Sequence, residues 1–582
     1  MATASGVVPR VAHDVARALQ DSGVDRVFLI TGGDLWLWRA LRDHGIEMCL
    51  ARSEAASVVM ADAYARVTGR PAVVYGQWGP GAANVAAALA DARWAHSPLV
   101  ALTSTVSTRV EYKYEYQELD QPPMFQSVTK WQARVTRADR AGELVAQALR
   151  IAGAGAPGPV HIDIPCDILA AEAVEAAEAA PSHANANANA NADALYAPIR
   201  RPAPSAPSAA AVADIADRLA RSLRPVLLAG NGVLMADAAE DLTRLAETVG
   251  VPVLTTLGGK GSIAENHPLS VGVAGRYASK VANGIAREAD FVLAIGTDLG
   301  GLATDTYTLP SSDADVVQVD VVAEHIGRTR TVDAGVVADA GELCRALAVA
   351  LPSEPGNRAH HTWRESVRSR CATWQEAFRA VAHRPAAGHV RPEAVVAILR
   401  ELADDRDLLV ADTGFMGAWG GALFPVHAPG RTFLRAAGTL GWAFPAVLGA
   451  QLAAGAERRA FALVGDGGFG YHVGDLETAL RLDIPAVTIV LNNASLAYEH
   501  VGFKHALGEE PVSEVCDFLD VDHAKVAAAY GVFAARVDSA DAFRGALEKA
   551  IAAARPALID VVVSKERVAP VTTFDTRLVR DV

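Results

Sequence analysis

At 582 residues the chain exceeds what one hydrophobic core organises, and three domains are expected. Its 51% hydrophobic and 21% charged residues are those of a soluble globular protein, and a net charge of −14 without a compensating basic patch argues against nucleic acid as a partner. Five scattered cysteines (Cys49, Cys166, Cys344, Cys371, Cys516) have neither disulfide-framework nor metal-ligand spacing and the amino terminus lacks a secretory pattern, so a cytoplasmic location is expected.

The first block covers residues 1–170. Strands are predicted at Val27–Ile30, Met48–Ala51, Ala72–Tyr75, Leu99–Leu102 and Val160–Ile164, with helical spacing over Ala55–Thr68 and Ala82–Ala95. Such alternation predicts a doubly wound parallel sheet in an α/β fold. Residues 171–207 depart from it. They are dominated by Ala, Pro and Asn, alternate strictly from Ala184 to Ala192, and read as a flexible linker without chemistry.

The second block, residues 208–352, repeats the alternation with strands at Pro225–Leu228, Val253–Thr255, Phe291–Ile295 and Val316–Val319. Gly230-Asn231-Gly232 follows the first of these. A connecting segment, residues 353–389, contains an amphipathic helix over Thr362–Ala382. The third block, residues 390–582, opens with a strand at Leu408–Val410 that ends in Ala411-Asp412-Thr413-Gly414. Within it, Ala436–Ala456 carries no charge and is long enough to cross a bilayer. Its Gly and Ala content, Pro445 and Gln451 predict a buried loop and core helix instead.

The most informative stretch is Gly465-Asp466-Gly467, followed after 24 residues by Asn492-Asn493. Ala460–Val464 reads as a strand, Asp475–Leu482 as a helix and Ala486–Leu491 as a second strand. A strand–helix–strand unit makes the two strands parallel, which puts Asp466 and Asn493 at one carboxyl edge, where α/β sheets bind ligands. A carboxylate and an amide oxygen there suit Mg²⁺, whose remaining positions phosphate oxygens and water can fill. The glycines let backbone approach a diphosphate.

Further motifs occur in order. They are Ser53-Glu54-Ala55-Ala56, Gly79-Pro80-Gly81-Ala82-Ala83-Asn84, Tyr116-Gln117-Glu118-Leu119-Asp120, Val128-Thr129-Lys130-Trp131, Leu257-Gly258-Gly259-Lys260-Gly261 and Gly438-Thr439-Leu440-Gly441, ahead of the metal motif. Together they resemble the thiamine diphosphate (ThDP)-dependent enzymes, specifically the large catalytic subunit of the acetolactate synthase branch, over nearly the whole chain except the linker. The resemblance implies pyrimidine-binding, central and diphosphate-binding domains. It implies a carboligase that decarboxylates a 2-oxo acid such as pyruvate and joins the acyl unit to a second carbonyl.

The same resemblance assigns residues. Glu54 matches the carboxylate that hydrogen-bonds the aminopyrimidine ring and activates the cofactor; as sequence alone it is equally a dipole-favoured acid at a helix start. Gly438 and Leu440 match backbone groups at the pyrimidine edge, and Leu440 also matches the apolar wedge that bends the cofactor. Gly414, Phe415 and Met416 fall where the diphosphate is cradled, by main chain alone because Phe and Met replace polar residues. Gly465, Asp466, Gly467, Gly468 and Asn493 match the diphosphate and Mg²⁺ site, with the Ser495 carbonyl as a further ligand. Each site borrows Glu54 across a subunit interface in this family, which implies a homodimer or homotetramer.

Substrate residues are carried by Gly33, Asp34, Gln117 and Lys130, with Asp34 open also to a helix-capping role. Alternation could put Tyr112, Tyr114 and Tyr116 on one face of an extended segment, lining a pocket or packing. FAD in the central block is left open and disfavoured, because Thr297-Asp298-Leu299-Gly300-Gly301 replaces the arginine-bearing run of flavin-binding relatives. Asp320, closing a strand, could hold a ribose or cap the strand end. The residues after Asn493 lack the acceptor-site pair of synthases. A 2-oxo acid decarboxylase or acyloin lyase is therefore the alternative, and a non-catalytic paralogue the second.

Overall fold

The structure is a computed structural model that describes residues 9–173, 203–351, 358–384, 386 and 388–569. Most of the expected linker, including its Ala–Asn repeat, lies outside the described residues. The chain divides into two compact units, Met1–Pro202 and Ala203–Val582.

The first unit holds β1 (Arg26–Leu29), β2 (Glu47–Leu50), β3 (Ala72–Gly76), β4 (Leu99–Thr105), β5 (Trp131–Arg134) and β6 (Val160–Pro165). They form one parallel sheet in the order β2-β1-β3-β4-β6-β5. Strands β3, β4 and β6 are buried end to end, as helices on both faces require. The helix Glu54–Thr68 follows β2. Ser53 Oγ accepts from Ala56 N at its start, and Gly69, at φ 67°, closes it in the left-handed region. The helix Pro80–Trp94 follows β3.

The second unit contains two sheets of the same kind. One consists of β7 (Pro225–Ala229), β8 (Val253–Thr255), β9 (Ser270–Val273), β10 (Phe291–Ile295), β11 (Asp315–Asp320) and β12 (Ala334–Val337), in the order β12-β11-β10-β7-β8-β9. Its inner strands feed two cores by strict alternation: Leu227 and Ala229 face one, Val226 and Leu228 the other. The other sheet consists of β13 (Leu408–Ala411), β14 (Phe433–Arg435), β15 (Ala460–Gly465), β16 (Val487–Asn492), β17 (Phe533–Val537) and β18 (Ala557–Val562), in the order β14-β13-β15-β16-β18-β17. The apolar stretch after β14 becomes the buried helix Ala443–Ala454, and among the described residues no helix is long and apolar enough to cross a membrane.

The connecting helix begins earlier than its amphipathic pattern suggested, at Arg358, and runs to Ala382. Trp363 Nε1 donates to Pro225 O at 3.1 Å, which ties it to the start of β7. The two sheets of this unit are joined by a buried ion pair. Lys260, 1% exposed, bonds Glu265, whose carboxylate also accepts from Val426 N at 2.8 Å. The Lys260 ammonium lies 5.6 Å from the centre of the Phe433 ring. Gly430 N donates to Gly261 O at 2.8 Å, and a Cβ on Gly261 would overlap Gly430 O. Lys260→Met leaves Glu265 without its cation and should cost roughly 3–5 kcal/mol, read from the urea unfolding midpoint, whereas Lys260→Met combined with Glu265→Leu should cost less than the single change.

Candidate active site

Glu54 is the first residue of its helix, just beyond the carboxyl end of β2, and is half-buried. Its Oε2 accepts from Asn84 Nδ2 at 3.1 Å, and a Cβ on Gly81 would lie 3.2 Å from its Oε1. The first turn of the helix Pro80–Trp94 is therefore the wall against which Glu54 rests. That turn is held from behind by Gln121. Gly79 N donates to Gln121 Oε1 at 2.8 Å, and Gln121 Nε2 donates to Asp163 Oδ1 at 2.7 Å and Ser104 O at 3.0 Å. Burial lifts the Asp163 carboxyl to about 6 against the pull of Arg134. His161 stacks on Phe125 with 3.6 Å between ring centres and contacts Thr103 Oγ1 at 2.7 Å; burial pushes it down to about 3, so it is neutral. None of Gln121, Asn84 and Asp163 had a role in the sequence reading; the available signals were Asn84's place in the Gly79–Asn84 motif and Gln121's place directly after Tyr116-Gln117-Glu118-Leu119-Asp120.

The sequence-derived substrate residues fare unevenly. Asp34 stands at the helix N-cap position but makes no capping bond. Its carboxylate accepts instead from the buried Tyr75 hydroxyl, which also meets Ser104 Oγ at 2.9 Å. Burial raises the Asp34 carboxyl, and burial with Asp34 beside it raises Tyr75 well above the phenol range. Gly33 is exposed just before Asp34. Gln117 sits in the left-handed region at φ 62° and faces Gln77, whose Nε2 is 3.5 Å from Gln117 Oε1.

Lys130 is elsewhere. It precedes β5, whose first residue pairs with Val160 at the start of β6, so it lies at the amino edge while Glu54 and Asp34 lie at the carboxyl edge. Its ammonium bonds Ala154 O and Ala156 O, both at 2.7 Å, and burial lowers it to about 8. The tyrosine segment is not extended either: Tyr112 and Tyr114 have φ of 63° and 61°, and the rings of Tyr112, Tyr114 and Tyr116 are 90%, 100% and 77% exposed.

In the second unit, β15 and β16 pair in parallel with Gly465 opposite Leu491, which brings Asp466 and Asn493 to adjacent carboxyl ends. Asp466 opens the short helix Asp466–Gly470 and is 7% exposed. Burial raises its carboxyl to about 6, opposed by backbone N–H groups including those of Asn493 and Gly467. Among the described residues no side-chain cation pairs with it, so a bound cation would supply the missing charge. Asn493 Oδ1 accepts from Ser495 N at 3.0 Å, and Ser495 Oγ donates to Cys516 O at 3.1 Å. Positions 438 and 465 face open space where a Cβ would meet nothing within 4 Å, leaving room beside the motif. Gly414 has φ 76° and ψ −140°, while Phe415 and Met416 turn their side chains into the core, so this turn offers backbone only. Leu440 is half-buried in the loop before the helix Ala443–Ala454. This donor set fits Mg²⁺ with a diphosphate.

Asp412 was quoted in the sequence at the end of a strand, without a role. Its carboxylate, 2% exposed, accepts from Thr413 N at 2.8 Å, Gly441 N at 3.1 Å and Trp442 N at 3.2 Å. The sheet between the first and last offers a poorer crevice. Gly232 N donates to Gly296 O at 2.9 Å, and a Cβ on Gly230 would overlap that oxygen, so backbone fills the switch point between β7 and β10. Asp320 Oδ1 accepts from Val322 N at 2.8 Å, as a strand-end cap does.

Comparison with known proteins agrees with this arrangement. Three models of thiamine pyrophosphate enzymes match: the N-terminal TPP binding domain over residues 9–124, the central domain over 212–347 and the C-terminal TPP binding domain over 412–561. The "Probable acetolactate synthase large subunit" of Methanocaldococcus jannaschii is 31% identical over 97% of this chain and 94% of that protein. The "Probable 2-ketoarginine decarboxylase" of Pseudomonas aeruginosa is 32% identical over 83% of this chain and 82% of that protein. The "Sulfoacetaldehyde acetyltransferase" of Rhodobacter capsulatus is 29% identical over 94% and 93%.

Gln121→Leu strands the Gly79 amide and removes a donor from Asp163. It should lower stability by about 1–3 kcal/mol, with faster hydrogen exchange at Gly79 than in the unaltered chain.

Proposed function

Because the chain belongs to the thiamine pyrophosphate enzyme family, in its acetolactate synthase-like branch, we propose that it is a ThDP- and Mg²⁺-dependent carboligase. In this reading it releases CO₂ from a 2-oxo acid and forms a C–C bond between the remaining acyl carbon and a second carbonyl. The observation that carries it is the parallel register that sets Asp466 and Asn493 side by side at one carboxyl edge.

When bound, ThDP supplies the nucleophilic carbon and accepts the electron pair released with CO₂. The chain's own residues do the rest. Asp466, the Asn493 amide oxygen and the Ser495 carbonyl would hold Mg²⁺, and backbone N–H groups in the amino-terminal turn of Asp466–Gly470 would meet the diphosphate. Backbone at Gly414, Gly438, Leu440, Gly465, Gly467 and Gly468 lets the cofactor approach. The Leu440 side chain serves as the wedge through bulk alone. Glu54, its carboxylate oriented by Asn84 and by the turn at Gly81, would share a proton with the pyrimidine ring nitrogen.

Glu54 and Asp466 belong to different compact units, and we assign their meeting to two copies of the chain, in a homodimer or dimer of dimers. Exposed Tyr112, Tyr114 and Tyr116 on the first unit support a surface that a partner covers. Five free cysteines accord with a reducing, cytoplasmic setting. FAD is no part of the proposal.

One observation favours a second reading, simple decarboxylation or acyloin cleavage: a buried acid, Asp34, stands at the carboxyl edge against the Tyr75 hydroxyl. Products formed from pyruvate, with and without an added aldehyde, separate the two. Acetolactate or an acyloin supports the carboligase; acetaldehyde alone supports the decarboxylase.

Glu54→Gln should cut turnover by about 10²–10⁴-fold while the protein stays folded; undiminished turnover removes Glu54 from the chemistry and points to another base. Asp466→Ala should abolish Mg²⁺-dependent uptake of ThDP in titration calorimetry; unchanged uptake would place the metal elsewhere.

A further inference from the structure

The helix Ala443–Ala454 has no capping side chain of its own, since its N-cap residue Trp442 makes no such bond, and no acidic residue in its first turn. Its start is satisfied from another strand. The Asp412 carboxylate, beyond β13, accepts from Gly441 N through Oδ2 and from Trp442 N through Oδ1, and Oδ1 also accepts from Thr413 N. Thr413 Oγ1 donates to Thr439 O at 3.0 Å, a second stitch between the same two segments.

The metal-motif helix closes the other side. A Cβ on Gly468 would overlap Asp412 Oδ2. Gly441, at φ 82°, has no room for one either: it would lie 2.7 Å from Tyr471 Cβ and 2.9 Å from Gly468 O. Residues 412–414, 438–442 and 467–471 therefore interlock around one buried carboxylate. They are the segments to which the ThDP reading gives the diphosphate cradle, the wedge with its pyrimidine edge, and the metal.

We propose that Asp412 is a positioning residue that fixes the loop Gly438–Gly441, and with it Leu440, against the metal-motif helix, without touching cofactor or substrate itself. A plain structural role would affect folding alone. A positioning role predicts that cofactor already bound is held in a less reactive geometry. This inference rests on the ThDP reading.

The test uses the full chain with and without ThDP and Mg²⁺, comparing Asp412→Asn and Gly468→Ala with the unaltered protein. The asparagine turns N–H groups toward backbone donors, and the alanine displaces the carboxylate while keeping its charge. In the cofactor-free protein, the amides of Gly441 and Trp442 should exchange about tenfold faster in Asp412→Asn. At saturating ThDP and Mg²⁺, proton exchange at the thiazolium C2 of the bound cofactor should slow by about tenfold or more in both variants, with altered near-ultraviolet dichroism of the bound cofactor. C2 exchange within about twofold of the unaltered protein in a folded variant overturns the proposal, even where affinity or stability has fallen. If Asp412→Asn does not fold, Gly468→Ala decides by the same criterion. An unaltered protein that takes up no ThDP brings down the functional reading and this inference together, whereas uptake with unchanged C2 exchange in the variants brings down only the inference.

Discussion

Parallel pairing of β15 with β16 is the constraint on which the site in the second unit depends. Five consecutive register pairs, from Phe461–Val487 to Gly465–Leu491, end both strands at the same height. What each strand does next is then forced into one place: a turn into a short helix after Gly465, and an asparagine turn after Asn492. A slip of one residue would send every side chain to the opposite face and put buried Leu463 and Ile489 toward the wrong layer. The chemistry at the edge is thus held in place by apolar burial that has no chemistry of its own.

The carboxylates that matter at these edges share a physical situation. Asp466 and Asp412 are buried, which disfavours their charge, and each is opposed by N–H groups at the start of a helix. Burial carries Asp412 to about 7 and Asp466 to about 6, each opposed by backbone donors. The two differ in what lies beyond. Asp412 spends its lone pairs on two segments of its own chain and is enclosed by Gly468. Asp466 retains space on the side of Gly465. One carboxylate is committed to backbone and the other keeps open space beside it.

The inner strands were legible because burial on both faces leaves unbroken apolar runs: Phe291–Ile295 and Val253–Thr255 were bounded to the residue. Five of the six strands left unpredicted, β5, β9, β12, β14 and β17, lie at sheet edges, where a strand such as Trp131–Arg134 is short and only half-buried. The sixth, β18, is an interior run that went unnamed beside the more conspicuous motif. Alternation misled at Tyr112–Tyr116, since it carries no information on φ. There Glu118 gathers Tyr112 N at 2.6 Å and Glu115 N at 2.8 Å and folds the segment back. Motif adjacency misled at Lys130, because a motif fixes a position along the chain and not the edge of the sheet it faces. The role of Asp412 left no trace because its partners, Gly441 and Trp442, are 29 and 30 residues away and contribute only backbone.

The three sheets show why a shared topology does not confer a shared function. Each is a six-stranded parallel sheet with loops gathered at its carboxyl edge. In the first, the loop after β2 delivers an acid, and a glycine turn after β3 is pulled close enough to orient it. In the third, glycines at 438 and 465 leave space beside an acid. In the second, Gly230, Gly232 and Gly296 use the same lack of a side chain to bring two loops into backbone contact, and the crevice closes on itself. The glycines at the third crevice thus face a gap, and those at the second face each other. The Lys260–Glu265 pair sets the loop after β8 of that second sheet against the segment before β14.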